Sequence, residues 1–250
     1  MDRWAGKVAV VTGASAGIGA AIVKQLLTHG MVVAGLARRV EKIKELEQGL
    51  EECTGKLYAV ECDVSKEESV IAAFAWVQEN LGPANVLINN AGITKESSLI
   101  GNSFNTIHWR SVFDVNVFGL CLCTKEAIRM MRETGGEGVI ININSLAAYY
   151  IFPPFHLNQQ ILNTYLASKC ALTTLTDCLR SELAQCESNI KVISISPDLV
   201  ETDMTAQWLK ENSRLALKPK DVSNCVLFAL QTPDNVLIKE LVVTPNRETI

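Results

Sequence analysis

Short, nearly continuous Val/Ile/Leu runs recur along this chain at wide spacing, and that recurrence limits the possible folds more than any other feature. The runs are Lys7–Thr12, Met31–Leu36, Lys56–Glu61, Asn85–Asn89, Gly138–Ser145, Ile190–Ser196 and Glu240–Thr244. A strand with one wet face alternates apolar and polar residues. Most of these runs do not alternate, which suits strands covered on both faces. Between them lie segments of helical period: Gly19–His29, Val40–Glu52, Lys66–Leu81, a long one from about Ser103 to Glu133, Thr164–Cys186 and Asp221–Leu230. Strand and helix in regular alternation imply βαβ crossovers. The expected fold class is therefore α/β, a doubly wound, mostly parallel seven-stranded sheet with helices on both faces.

No linker, repeat or shift of composition divides the 250 residues, so one domain over 1–250 is expected. With 48% hydrophobic and 20% charged residues, the chain has the make-up of a packed globular protein rather than a disordered or collagen-like one. A net charge of −4 argues against a nucleic-acid partner, because neutralising phosphates needs a concentrated basic surface. No apolar stretch reaches the length of a membrane span. Met1-Asp2-Arg3-Trp4 leads almost directly into the first strand, leaving no room for a signal peptide, and the expected location is cytoplasmic. The eight cysteines include no CxxC pair and no Cys/His cluster at zinc spacing, and are expected as reduced thiols packed in the core. His29, His108 and His156 form no spaced cluster, and no acidic grouping suggests a metal.

Two segments break the rhythm. Ala147–Asn163 carries Tyr149, Tyr150, Phe152, Pro153, Pro154 and Phe155, and Asp198–Pro219 carries Met204, Trp208 and Leu209. In open α/β sheets ligands bind beyond the carboxyl ends of the strands, so 147–163 and 198–219 are placed to line a substrate pocket.

Four motifs carry chemistry. Thr12-Gly13-Ala14-Ser15-Ala16-Gly17-Ile18-Gly19 stands between the first strand and first helix. Glycines there permit a tight turn and let backbone N–H groups approach a pyrophosphate at the positive end of a helix dipole. The second strand ends in Gly35-Leu36-Ala37-Arg38-Arg39. An NAD site wants an acidic residue near here for the ribose 2′-hydroxyl, whereas arginine clasps a 2′-phosphate and stacks on adenine. Tyr165 and Lys169 stand four apart on a helix, so they share a face. A nearby ammonium favours the phenolate, and the pair can then act as general acid and base on an alcohol or carbonyl. Finally, Asp63-Val64, Asn89-Asn90-Ala91-Gly92 and Asn142-Ile143-Asn144-Ser145 close the third, fourth and fifth strands, and Asn116 interrupts an apolar helical stretch.

In this order the motifs resemble the short-chain dehydrogenase/reductase family in its compact form, a Rossmann-type fold, from Lys7 to Thr244. The resemblance implies hydride transfer to or from the nicotinamide of NAD(P). Tyr165 would be the general acid/base, and Lys169 would hold the nicotinamide ribose and lower the Tyr165 pKa. Ser145 would orient the substrate oxygen, and Asn116 would support a proton-relay water. Gly13, Ser15, Gly17, Ile18 and Gly19 would cradle the cofactor phosphates. Asp63 and Val64 would lie at the adenine, and Asn90, Ala91 and Gly92 along the adenosine ribose. Val200 and Thr202 would border the nicotinamide carboxamide. Arg38 and Arg39 resemble the branch that prefers NADP(H) over NAD(H). Within the family, Asp2-Arg3-Trp4 and the strand-end motifs look like a smaller group of insect farnesol dehydrogenases and vertebrate NADP-dependent 3-keto- and 17β-hydroxysteroid reductases. That makes a small lipophilic alcohol or carbonyl compound the expected substrate. Relatives of this kind form homodimers or homotetramers through their long helices. Two other functions stay open: a non-catalytic NADP(H)-binding regulatory or scaffold protein, and a ketoreductase acting on acyl chains.

Three departures from the family pattern stand out. Tyr165 comes twenty residues after Ser145, so the intervening loop is expanded. Tyr149 and Tyr150 lie in it, but Pro153 and Pro154 stand where a partner lysine would be needed. Pro197-Asp198 replaces the usual Pro-Gly. The segment after Thr202 is short for a substrate lid.

Overall fold

A computed structural model of the chain describes every residue except 51, 101–105, 150–155, 158–159, 212–214 and 247–250, and leaves out the side chains of 156–157 and 160–161. Its centre is a seven-stranded sheet of β1 (Val8–Thr12), β2 (Val32–Ala37), β3 (Lys56–Glu61), β4 (Val86–Asn89), β5 (Glu137–Ile143), β6 (Asn189–Pro197) and β7 (Glu240–Val243). Spatial order is β3-β2-β1-β4-β5-β6-β7, and every neighbouring pair is parallel. A separate two-residue antiparallel pairing joins His156–Leu157 to Gln160–Ile161.

The continuous apolar runs have the expected cause. All five residues of β1 are buried, and alternate ones feed two different cores. Ala9 and Val11 pack with Ile22 and Leu26 of α1 (Gly17–Thr28), Ile43 of α2 (Val40–Glu47) and residues of the late helix Pro219–Leu230. Val8 and Val10 pack with Phe74 of α3 (Glu67–Leu81) and with Met130 and Leu183 from two later helices. Fully burying each such side chain contributes about 1.5–3 kcal/mol.

Helix ends depart from the sequence reading where local chemistry overrides periodicity. The segment expected as one long helix is α4 (Thr106–Phe113), a π-helical turn (Asp114–Phe118) and α5 (Gly119–Glu133). Its expected start near Ser103 lies outside the described residues. The remaining helices are α6 (Asn163–Gln185), the short α7 (Ala206–Glu211), which periodicity did not reveal, and α8 (Pro219–Leu230). Helix α2 ends at Glu47 rather than Glu52. Helix α8 begins two residues before Asp221, with Pro219 in the first-turn position that tolerates a missing N–H.

Asp2–Trp4, a short 3-10 turn, docks on the far end of α8. Trp4 Nε1 and Arg3 Nη2 both donate to the Leu230 carbonyl, at 2.8 and 3.0 Å, and Arg3 pairs with Asp234. Side-chain donors here satisfy a carbonyl that the helix itself leaves open.

Candidate active site

Where β1 separates β2 from β4 the connections run to opposite sides, and a crevice opens at the carboxyl ends of the strands. A cavity of about 470 Å³ occupies it. Its walls include Gly13, Ser15, Gly17, Ile18, Arg38, Arg39, Asp63, Val64, Asn90, Ala91, Gly92, Ser145, Tyr165, Lys169, Val200 and Thr202. Chain segments almost two hundred residues apart thus meet at one opening.

The glycine loop is shaped by two kinds of constraint. Gly13 and Gly17 have φ of +65° and +55°, a region that L side chains rarely adopt. Gly19 is different: a Cβ there would lie 2.3 Å from the Gly13 carbonyl oxygen. It is thus not a wall residue, as expected of a phosphate contact, but the point where α1 seats against the loop. Ala16 precedes α1 without any side-chain cap, so first-turn N–H groups at the positive helix end remain for a ligand. Asn90 Nδ2 donates to the carbonyls of Thr12 (2.9 Å) and Gly13 (3.2 Å). Thr12 Oγ1 accepts the N–H groups of Asn90 and Ala91, both at 3.0 Å. The β4 end is thereby stitched to the loop.

At the β2 end Arg38 and Arg39 are exposed, and among the described residues neither guanidinium has a hydrogen-bonded carboxylate. Asp63 accepts the Ser65 hydroxyl at 2.7 Å and the Ser65 N–H at 3.1 Å. Burial pushes its pKa up, but the Ser65 bonds and the charges of Arg38 and Lys66 outweigh that, leaving the carboxyl below its usual range. Cys62, beside it on the wall, is pushed up to about 11 by burial and stays a thiol.

Across the cavity Ser145 ends the fifth-strand motif and caps a 3-10 turn, Leu146–Ala148, its Oγ accepting Ala147 N–H at 3.1 Å. The same side chain lies near enough to the Tyr165 phenol to favour its ionised form. Lys169, only 6% exposed, donates from Nζ to the Ile143 carbonyl at 3.0 Å, and Nζ lies 5.8 Å from the Tyr165 ring centre. The proton energetics differ from the sequence reading. Burial pushes the Tyr165 phenol up, and the nearby Ser145 side chain pulls the other way. Burial also pulls the Lys169 pKa down to about 8, so its charge is itself disfavoured.

Asn116 lies behind the wall. Its amide pairs with both backbone groups of Ile93, accepting N–H at 2.8 Å and donating to the carbonyl at 3.0 Å, and donates to Ser168 Oγ at 3.0 Å. The π-turn aims it there, and Gly119 lets the helix pass Val64, whose carbonyl a Cβ would meet at 2.8 Å. The Asn116 side chain is thus engaged with protein groups, and what it fixes is the spacing between the β4 loop and α6.

Asp198 is held by a 2.8 Å bond from its N–H to the Val243 carbonyl and does not adopt positive φ, so this turn does not require the glycine that the family pattern suggested. Thr205, which the sequence reading missed, fixes Thr202: its hydroxyl accepts Thr202 N–H at 3.1 Å and donates to the Val200 carbonyl. A Thr three residues on is the only local signal for such a turn. From the first pocket segment Ala147 and Leu162 reach the wall, and from the second Asp198, Leu199, Val200, Thr202 to Thr205 and Trp208. Tyr150, Phe152, Pro153, Pro154 and Phe155, and the His156 side chain, lie outside the described residues. Thr94 Oγ1 and Asn144 Oδ1, on wall residues, have no hydrogen-bond partner among the described residues.

The cysteines correct another expectation. All eight are free, but only Cys62 and Cys123 are buried, and Cys170 and Cys178 on α6 and Cys186 just after it are exposed. Among the described residues no group of three or more His, Cys, Asp or Glu comes together to hold a metal, and no helix is long and apolar enough to cross a membrane.

Comparison with known proteins agrees with this geometry. The family model described as short chain dehydrogenase matches residues 7–213. A farnesol dehydrogenase of Aedes aegypti is 45% identical, over 98% of both chains. Dehydrogenase/reductase SDR family member 11 of Gallus gallus is 38% identical over 99% of both. A metagenomic short-chain oxidoreductase solved in complex with NADP superposes with a TM-score of 0.81 at 28% identity, covering 98% of this chain and 99% of the other. With glycine loop, Ser145, Tyr165 and Lys169 around one cavity and relatives along its whole length, the chain belongs to the short-chain dehydrogenase family.

Proposed function

We propose that this protein is an NADP(H)-dependent oxidoreductase that interconverts an alcohol and its aldehyde or ketone on a lipophilic substrate, either an isoprenoid alcohol such as farnesol or a steroid or other carbonyl compound. The observation that carries this reading is the convergence of Ser145, Tyr165 and Lys169 on the cavity that also holds the glycine loop and the two arginines. The wall fits a dinucleotide: positive-φ glycines and an uncapped helix start suit a pyrophosphate, and Arg38 and Arg39 suit a 2′-phosphate. Bound there, the cofactor supplies the hydride acceptor or donor.

The chain's own groups handle the proton and the orientation. The Tyr165 hydroxyl gives its proton to the substrate carbonyl oxygen in reduction and takes it back in oxidation. Ser145 Oγ, beside Tyr165 on the same wall, hydrogen-bonds the same oxygen and fixes the direction of proton transfer. Lys169 Nζ holds a ribose hydroxyl and presents positive charge to the phenolate. Asn116 keeps Ile93 and Ser168 in register, and with them the α6 turn that bears Lys169. Asp63, Val64, Asn90, Ala91 and Gly92 border the adenosine half, and Val200 and Thr202 the nicotinamide half.

Ala147, Leu162, Leu199, Met204 and Trp208 give the wall an apolar stretch beside Asp198 and Asp203, and that stretch favours a lipophilic molecule. The Aedes aegypti relative's name supports an isoprenoid alcohol, and the metagenomic relative's NADP complex supports the cofactor. We further propose a cytoplasmic homodimer or homotetramer, paired through α4–α5 and α6, where Ile107 is 70% and Phe118 59% exposed.

The direct test is a reductase assay with NADPH and with NADH over farnesal, retinal, steroid ketones and small diketones. At least one lipophilic carbonyl is expected to turn over, with kcat/KM at least about tenfold higher with NADPH. No turnover with either cofactor, or a preference for NADH, would overturn the proposal.

A further inference from the structure

Tyr149 is outside the cavity wall, yet it closes the 3-10 turn that Ser145 opens. Its hydroxyl donates to Glu240 Oε1 at 2.5 Å, across to β7 at the edge of the sheet. The same carboxylate oxygen accepts Ser196 Oγ of β6 at 2.7 Å. On the other side Thr173 Oγ1 of α6 lies 3.4 Å from the phenol oxygen and accepts Asn144 Nδ2 at 2.9 Å. Asn144 directly precedes Ser145, and Thr173 is one helical turn beyond Lys169. Cys170 Sγ adds a 3.2 Å bond to the Ala148 carbonyl. The turn bearing Ser145 is thus tied to the sheet edge and to the helix of Tyr165 and Lys169 at once.

The turn needs such ties. Its own backbone bonds are two of the i→i+3 kind, Ala148 N–H to Ser145 and Tyr149 N–H to Leu146, both at 3.0 Å, and their geometry is poorer than that of α-helical bonds. The chain then runs twenty residues from Ser145 to Tyr165, so the covalent connection alone fixes their separation poorly. Tyr149 is 40% exposed, but its bond is the short hydroxyl-to-carboxylate kind, and partial burial and Glu240 both push the phenol up, keeping it the donor.

We propose that Tyr149 and Glu240 form a positioning pair that holds the Ser145 hydroxyl in register with Tyr165. The proposal rests on the catalytic reading of Ser145 given above. Tyr149 is no rival to Tyr165 in it: the phenol serves as an anchor, and the expanded loop departs from a fixed point.

The test compares Tyr149→Phe, Glu240→Ala, Glu240→Gln and the double variant Tyr149→Phe/Glu240→Ala. In the protein without ligand, Tyr149→Phe and Glu240→Ala should speed amide hydrogen exchange at Ala147–Tyr149 several-fold, with the thermal midpoint within about 2 °C. In turnover they should lower kcat about tenfold, with KM for NADPH within about twofold. Glu240→Gln keeps an acceptor oxygen and should restore most of the loss, and the double variant should be no worse than either single one. Unchanged exchange in the turn, unchanged kcat, or fold-losses that multiply in the double variant would overturn the pairing. Tyr165→Phe, run alongside, separates two failures. Full turnover there overturns the catalytic reading and this proposal with it. A dead Tyr165→Phe beside an unimpaired Tyr149→Phe overturns the positioning role alone.

Discussion

An ammonium group is expensive to bury, and Lys169 is buried, its Nζ donating to a single backbone carbonyl among the described residues. Burial pulls its pKa from 10.5 to about 8. Between those values the unfolded chain binds more protons than the folded one, so the contribution of Lys169 to stability rises with pH across that window. Below about pH 8 the full penalty is present. Lys169→Met, of similar length, should therefore raise the thermal midpoint at pH 7 by a few degrees, on the order of 1 kcal/mol, while turnover falls at least about a hundredfold. Melting curves at pH 7 and pH 10 check the sign: the gain should shrink at the higher pH. A lower midpoint at pH 7 would contradict the penalty. At this scale the sequence spoke clearly where spacing decides, since Tyr165 and Lys169 do share a helix face at the cavity. It misled where environment decides. The Tyr165 phenol is pushed up because burial outweighs what its neighbours supply, and burial has no signature in a YxxxK string.

At the scale of elements, strands were legible and helix ends less so. Every expected sheet strand is present within two residues of its expected bounds; the central strands are buried and leave continuous apolar runs, while the edge strands β3 and β7 are only partly buried. The π-turn at Asp114–Phe118 was not legible, since it is set by partners distant in sequence, Ile93 and Val64, rather than by local propensity. The junction of β2 and α2 carries a prediction of its own. Arg39 occupies the cap position of α2 with no side-chain cap bond, and Arg38 follows the last residue of β2. Two cations at a helix start work against the dipole, a cost of a few tenths of a kcal/mol each that a bound phosphate offsets. Arg38→Asp with Arg39→Ala should raise the KM for NADPH about a hundredfold and change that for NADH less than about threefold. Steady-state kinetics with both cofactors decide it. A constant NADPH/NADH ratio would reduce the arginines to surface charge.

For the whole molecule, the sheet order is what turns scattered motifs into one site. Tyr165 and Ser145 flank the β5 end, Gly13 follows β1, Arg38 follows β2, and parallel pairing sends all of these ends to the same edge. The alternation of strand and helix was enough to anticipate that edge. The tether from Tyr149 to Glu240 was not foreseeable, because it joins residues 91 apart through side chains that carry no motif. Nor was the exposure of Cys170, Cys178 and Cys186, since apolar surroundings in sequence do not say which helix face reaches the core. The central claim is that one phenol, Tyr165, exchanges the proton at this shared edge. Tyr165→Phe tests it most directly, with turnover and NADPH binding measured on the same preparation. Turnover should fall at least about a thousandfold, while NADPH affinity stays within about threefold. Retained turnover, or loss of NADPH binding in step with activity, would contradict it.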